Sequence, residues 1–146
     1  MAEIHRITSR NAALLDSVAE EVFDERIDAR CLQAYLADAA HLMLVAVEEG
    51  RVVGQCRAVV HLQPDQAPEL YLDNLGVAPS HRRQGIARRL VAGMLALGRA
   101  RGCRAAWVGT EVGNEPARAL YRGFGAGTAV MFYCWDLTAD DGVLPA

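Results

Sequence analysis

The sequence predicts an α/β protein built on a mixed, twisted sheet with helices on both faces. Three observations carry that expectation. Apolar stretches at 41–47, 52–62 and 69–77 follow one another at strand length. The turn Glu48-Glu49-Gly50-Arg51 folds the first two into a hairpin. An amphipathic segment over 85–101 then separates the strand at 69–77 from another at 103–108, which implies a parallel pair joined by a right-handed crossover.

The elements follow in order. Residues 3–8 read as a first strand. Ser9 or Asn11 is placed to cap a helix reaching Asp24, with Leu14, Leu15, Val18, Val22 and Phe23 at helical spacing. Asp28 is placed to cap a second helix through Leu36, and the acidic stretch EEVFDERID between them reads as a loop. Pro79 ends the strand at 69–77, because proline donates no ladder hydrogen bond. In the helix over 85–101, Ile86, Leu90, Met94 and Leu97 form the apolar stripe, and Gly102 follows as a C-terminal cap. Pro116 opens a short helix through Tyr121. A last strand is expected at 128–137 and a flexible tail at 138–146.

The 146 residues fit one domain, with 52% hydrophobic and 23% charged residues. No apolar run has the length of a membrane span or a signal peptide, and a cytoplasmic location is expected. A net charge of −3 and a single short basic cluster, Arg82, Arg83, Arg88 and Arg89, argue against nucleic acid as a partner. Cys31, Cys56, Cys103 and Cys134 form no CxxC pair, and the histidines at 5, 41, 61 and 81 are isolated, so no metal site is expected.

The chemistry gathers where the strand LYLDNLGV runs through APSHRRQGIA into a helix. A helix start offers unpaired N–H groups and the positive end of the helix dipole. Gly85 and Ala87 let backbone approach a phosphate, and Arg82 and Arg83 add charge-assisted donors. The spacing matches neither a P-loop nor GxGxxG.

VAPSHRRQGIA resembles the acetyl-CoA loop of the GNAT superfamily of N-acetyltransferases, Arg/Gln-x-x-Gly-x-Gly/Ala, on Arg82, Gly85 and Ala87. A second signature of that family, Asn, then Ala, then Leu-Tyr, is matched by Asn114, Ala117, Leu120 and Tyr121. The family's Leu-Tyr-x-x-x-Gly-Phe is altered, with Ala126 after Gly125 and Phe124 before it. The resemblance implies the GNAT acyl-CoA N-acyltransferase fold and acetyl-CoA as acetyl donor. It implies that the donor's pantetheine arm pairs with Leu75 to Val77, and that the Val77 N–H faces the thioester oxygen. Its pyrophosphate would rest on Arg82, Arg83, Gln84, Gly85, Ile86 and Ala87. Asn114 would bond the donor near its thiol, and Tyr121 would be the general acid.

The base is open between two carboxylates. Asp73 is a charge inside an apolar strand, costly to bury unless used or paired, and Glu111 follows the next strand. The stretches EVFDERID and CLQAYLADAAHLMLVAVEEGRVVG, followed by ELYLDNLGVAPSHRRQGIA and NEPARALY, resemble the type I aminoglycoside 3-N-acetyltransferases, and that resemblance implies a cationic small-molecule amine, which Asp24, Glu25, Asp73 and Glu111 would suit. That branch tends to carry Asp where this chain has Asn74 and Asn114. A protein acetyltransferase acting on lysine or an N-terminal amine, and a non-catalytic acetyl-CoA-binding module, are the competing expectations. GNAT proteins often pair through their last strands, so TAVMFYCW is either such an edge, for a homodimer, or equally a strand inside the sheet.

Overall fold

A computed structural model describes residues 1–125 and 127–138. The chain divides into two compact units, Met1–Val108 and Gly109–Ala146. The first unit holds five strands, β1 (Glu3–Arg6), β2 (His41–Glu48), β3 (Arg51–His61), β4 (Glu69–Val77) and β5 (Ala105–Val108), lying in the sheet in that order. Pairing is antiparallel from β1 to β4, and β4–β5 is parallel. This is the mixed sheet that the hairpin and the crossover segment predict.

Two helices cover the sheet. α1 (Ala29–Ala37) and α2 (Ile86–Ala100) are told apart by which strand residues they meet. Met43, Val45 and Val52 pack with Ile7, Leu15 and Val22, and Leu32, Tyr35 and Leu36 of α1 close over them. The alternate residues face the other way: Leu44 and Leu70 reach Gly93 and Gly98 of α2, and Ile86 and Leu90 lie over Gly54. A strand buried on both faces needs a continuous apolar run, which is why β2 reads HLMLVAVE without alternation.

The hairpin between β2 and β3 turns through Glu49 (φ 51°) and Gly50 (φ 74°), the two left-handed residues of a turn whose twist matches that of the strands. Asp28 caps α1 as predicted, its carboxylate accepting from the Cys31 N–H at 2.9 Å. That hydrogen bond holds the Asp28 carboxyl below its ordinary range. Replacing Asp28 by Ala should therefore lower the urea midpoint with little change in slope. A depressed carboxyl stabilises above its unfolded pKa and loses that contribution as pH falls through the folded value. The gap between wild type and D28A should close in the same acid range, as read by urea titrations at stepped pH.

The structure corrects two expectations. In place of a helix to Asp24 there is one 3-10 turn, Ala12–Asp16. Beyond it the chain bonds to β3, with Val52 N donating to Ser17 O (2.9 Å) and Ala19 N to Val52 O (2.8 Å). Those carbonyls and amides are then unavailable to a helix. The second correction concerns 128–137, which forms no strand, and Val130, Met131, Phe132, Tyr133, Trp135 and Leu137 are exposed there. Ala126 and all of the expected tail but Thr138 lie outside the described residues. In the second unit α3 (Glu115–Arg122) starts at the Asn114 cap, which accepts from Ala117 N at 3.2 Å, and Glu115 pairs with Arg118 and Arg122.

Candidate active site

β4 pairs with β3 at both ends, at 69–72 and 74–77, but with β5 only from Glu69 to Leu72. The step comes at one residue. Arg57 faces Asn74 while Ala58 faces Leu72, so Asp73 is an extra residue without a ladder partner. Such a bulge bends its strand and raises the local twist. Among the described residues, 74–77 pair with β3 alone, and their other edge is one to which an extended amide chain can add as a further strand.

This half of β4 is held from behind. At Gly76 a Cβ atom would stand 2.3 Å from the Val22 carbonyl oxygen, so the close approach admits glycine only. The same carbonyl accepts from Gln55 Nε2 at 3.0 Å, and that amide also donates to Asn74 Oδ1. Gln55 is fully buried, and its Oε1 has no partner among the described residues. Gln55 thus ties the 17–28 segment to the bulged strand.

After Val77 the chain passes a 3-10 turn, Pro79–His81. Ser80 Oγ meets His81 Nδ1 at 2.8 Å, and His81 Nε2 meets Glu48 Oε2 at 2.6 Å. That contact holds the Glu48 carboxyl below its usual range. The backbone is left-handed at Arg83 (φ 60°) and again at Gly85 (φ 79°). A non-glycine residue in that region is strained, and strain of this kind gathers at ligand sites. A Cβ at Gly85 would meet nothing within 4 Å, so the space over the turn is open. Ile86 is buried and roots α2 in the core, while Ala87 is half-buried. The first turn of α2 has no acidic residue and no side-chain cap. Arg82 Nε donates to Val77 O at 3.3 Å, and its Nη2 lies 3.4 Å from Glu21 Oε2. Arg83 and Gln84 are exposed, and Gln84 Nε2 donates to Ser80 O. The first unit therefore joins a strand edge without a ladder partner at 74–77 to a turn and helix start of the kind that suits an anion.

Asp73 is exposed rather than buried, which corrects the burial argument made for it from the apolar strand. Its charge still reaches the α1 face. Burial pushes the Tyr35 phenol above its ordinary range, with Asp73 raising it further and Arg57 opposing. Burial likewise pushes the Cys56 thiol up to about 12, with the same two charges acting in opposite senses. Tyr35 is held by its hydroxyl, which donates to Leu42 O at 2.7 Å. Of the residues singled out in the sequence, Asp73, Leu75, Val77 and 82–87 thus fall on one continuous stretch of the first unit. Glu111, Asn114 and Tyr121 belong to the second. There Glu111 is an exposed loop residue whose carbonyl accepts from Asn114 N at 3.0 Å, Asn114 caps α3, and Tyr121 is half-buried in the last turn of α3. Gln55 and Arg57 were not anticipated. The available signal was the one used for Asp73, a polar residue inside the apolar stretch VVGQCRAVV.

Among the described residues no helix is long and apolar enough to cross a membrane, and no three His, Cys, Asp or Glu side chains gather as metal ligands. N-acetyltransferase family 8 member 2 of Rattus norvegicus is 37% identical over 105 residues, covering 66% of this chain and 46% of that protein. The chain thus spans about half the length of that relative. An aminoglycoside acetyltransferase from an uncultured soil metagenomic sample superposes with a TM-score of 0.80 at 28% identity, over 94% of this chain and 99% of that one. The aminoglycoside N-acetyltransferase AAC(6′)-Iy, solved in complex with CoA, shares the fold with a TM-score of 0.74 at 20% identity, over 92% of this chain and 95% of that one. AAC(6′)-Iy and the aminoglycoside N(6′)-acetyltransferase type 1 of Salmonella typhimurium, 26% identical over 113 residues that cover 68% of this chain and 78% of that protein, are named for the 6′ position, not for the 3-N position of the branch the sequence resembles. The family of acetyltransferases known as GNAT matches residues 5–126, and the chain belongs to it.

Proposed function

We propose that this chain transfers the acetyl group of acetyl-CoA to the primary amine of a small molecule by direct attack in a ternary complex. The observation that carries this is the open edge of β4 running without a break into the uncapped start of α2. Acetyl-CoA fits it: the edge at 74–77 suits an amide chain, and the open turn at Gly85 suits a pyrophosphate. When bound, it supplies an activated acyl carbon, to which the amine nitrogen bonds as the carbon–sulfur bond breaks.

The chain's residues do the rest. Arg82, Arg83 and the amides of Gly85, Ile86 and Ala87 hold the phosphates, with Gln84 lining the turn. Leu75 and Val77 hold the arm in the strand direction, and the Val77 N–H donates to the carbonyl oxygen as charge develops there. Asp73, or Glu111 through solvent, takes the proton that the ammonium must lose before attack. Tyr121 gives a proton to the departing sulfur, and Asn114 orients the group beside it.

Aminoglycosides are the acceptors to assay first, because the similar metagenomic protein is named for them and because Asp24 and Glu25 are exposed near the turn into α1. A second copy of the chain is a fitting cover for the exposed apolar run 130–137. The test is release of free thiol from acetyl-CoA against aminoglycosides, polyamines, amino acids and peptides. Measurable acetyl-CoA binding with no turnover across the panel would sink the proposal. For the base, Asp73→Asn should lower kcat by about a hundredfold and flatten the acid limb of the pH profile. An unchanged limb would move the role to Glu111.

A further inference from the structure

Arg57 stands on β3 directly opposite Asn74, so it shares the α1 face of the sheet with Gln55 and lies beside the bulge at Asp73. It is half-buried, and its Nε is fully buried with no hydrogen-bond partner among the described residues. It forms no ion pair with any of them, Asp73 included. Its guanidinium lies 5.7 Å over the Phe23 ring, and Asn74, which faces it, is neutral and already accepts from Gln55. A guanidinium drawn half out of water is costly without an anion, and an aromatic face compensates only part of that cost.

Under the function proposed above, the acyl carbon lies along the β4 edge between Asp73, which takes the proton of the amine, and Val77, whose N–H meets the carbonyl oxygen, while the phosphates lie at the start of α2 on the opposite face. The amine must then approach over the α1 face, past Arg57. A guanidinium is a flat fork of donors that matches a carboxylate. We infer that the acceptor carries a carboxylate near its amine and that Arg57 receives it, so the preferred acceptors are amino-acid-like. Asp73 and Arg57, close but unpaired with one another, hold the two ends of such a molecule: ammonium on Asp73, carboxylate on Arg57. Tyr71 and Trp107 stack at 4.2 Å on the same face and give its side chain an apolar wall. The inference rests on acetyl transfer to a small amine and narrows it.

The test compares amines that differ only by the carboxylate: phenylalanine against phenethylamine, and alanine against ethylamine, with an aminoglycoside alongside. In the wild-type protein the carboxylate-bearing member of each pair should show kcat/KM higher by about tenfold to a hundredfold, the range of a charged hydrogen bond. R57Q should remove that preference, chiefly by raising KM for the carboxylate-bearing member of each pair. The wild-type comparison stands even if R57Q fails to fold. Equal rates within each pair, or turnover of the aminoglycoside alone, would overturn the inference and leave acetyl transfer intact. Bound acetyl-CoA with no amine turned over would overturn both.

Discussion

Replacing Tyr121 by Phe should lower kcat by about 10²–10³-fold and leave the affinity for acetyl-CoA near that of the wild type. The departing group is a thiolate, and a phenol with an ordinary pKa of about 10 is protonated at neutral pH and able to donate to it. Phenylalanine keeps the ring that half-buries Tyr121 on α3 and removes only the donor, so α3 and its Asn114 cap should persist. Steady-state thiol release across pH distinguishes the roles. A residue that only packs would leave kcat and its alkaline limb in place; a proton donor loses both together. Full activity in Y121F would end the assignment.

The largest effect on stability is expected at Gly76. A methyl group there would sit 2.3 Å from the Val22 carbonyl oxygen, 3.2 Å from its carbon and 3.3 Å from Gln55 Nε2. None of these atoms can yield cheaply. Gly76 is fixed in the ladder opposite Gln55, and Val22 is buried in the core beneath α1. Relief requires the 17–28 segment to lift, which breaks the bond from Gln55 to Val22 and leaves a buried amide unsatisfied. Overpacking and an orphaned polar group together should cost about 3 kcal/mol or more. Urea unfolding of G76A measures it, and a loss below about 1 kcal/mol would show that the segment moves freely. Acetyl-CoA binding should weaken in parallel, since the same contact sets the line of the open edge.

How far the sequence reveals this protein varies by element. The bounds of β4 and the parallel β4–β5 pair are as the apolar runs and the intervening helix predict, because those signals are local and the crossover leaves few alternatives. The segment from 11 to 24 shows where such reasoning stops. Leu14, Leu15, Val18, Val22 and Phe23 do reach the core, as their spacing suggests, yet only Leu14 and Leu15 lie in a helical turn, a short 3-10 one. Bonds from Ser17 and Ala19 to Val52 decide the backbone, and they come from a strand more than thirty positions away that no window on the local sequence contains. At 128–137 the reverse holds: strong β-forming residues carry no strand, because propensity for a sheet is realised only beside a partner. In the site, the turn from Arg82 to Ala87 is legible from glycine and charge. Arg57 and Gln55 are not, since their importance lies in what they fail to bond and in the face they share.

The extra residue of β4 bears on how such a protein diversifies. Every neighbour of Asp73 in the strand is committed to a ladder partner, whereas Asp73 is not. A substitution there alters the charge offered to an acceptor without asking anything of the sheet, so stability places little restraint on that position. Variation at residue 73 would therefore act on the site while the scaffold stayed the same, and a library randomised at this one codon should contain mostly folded proteins, few of them as active as the wild type.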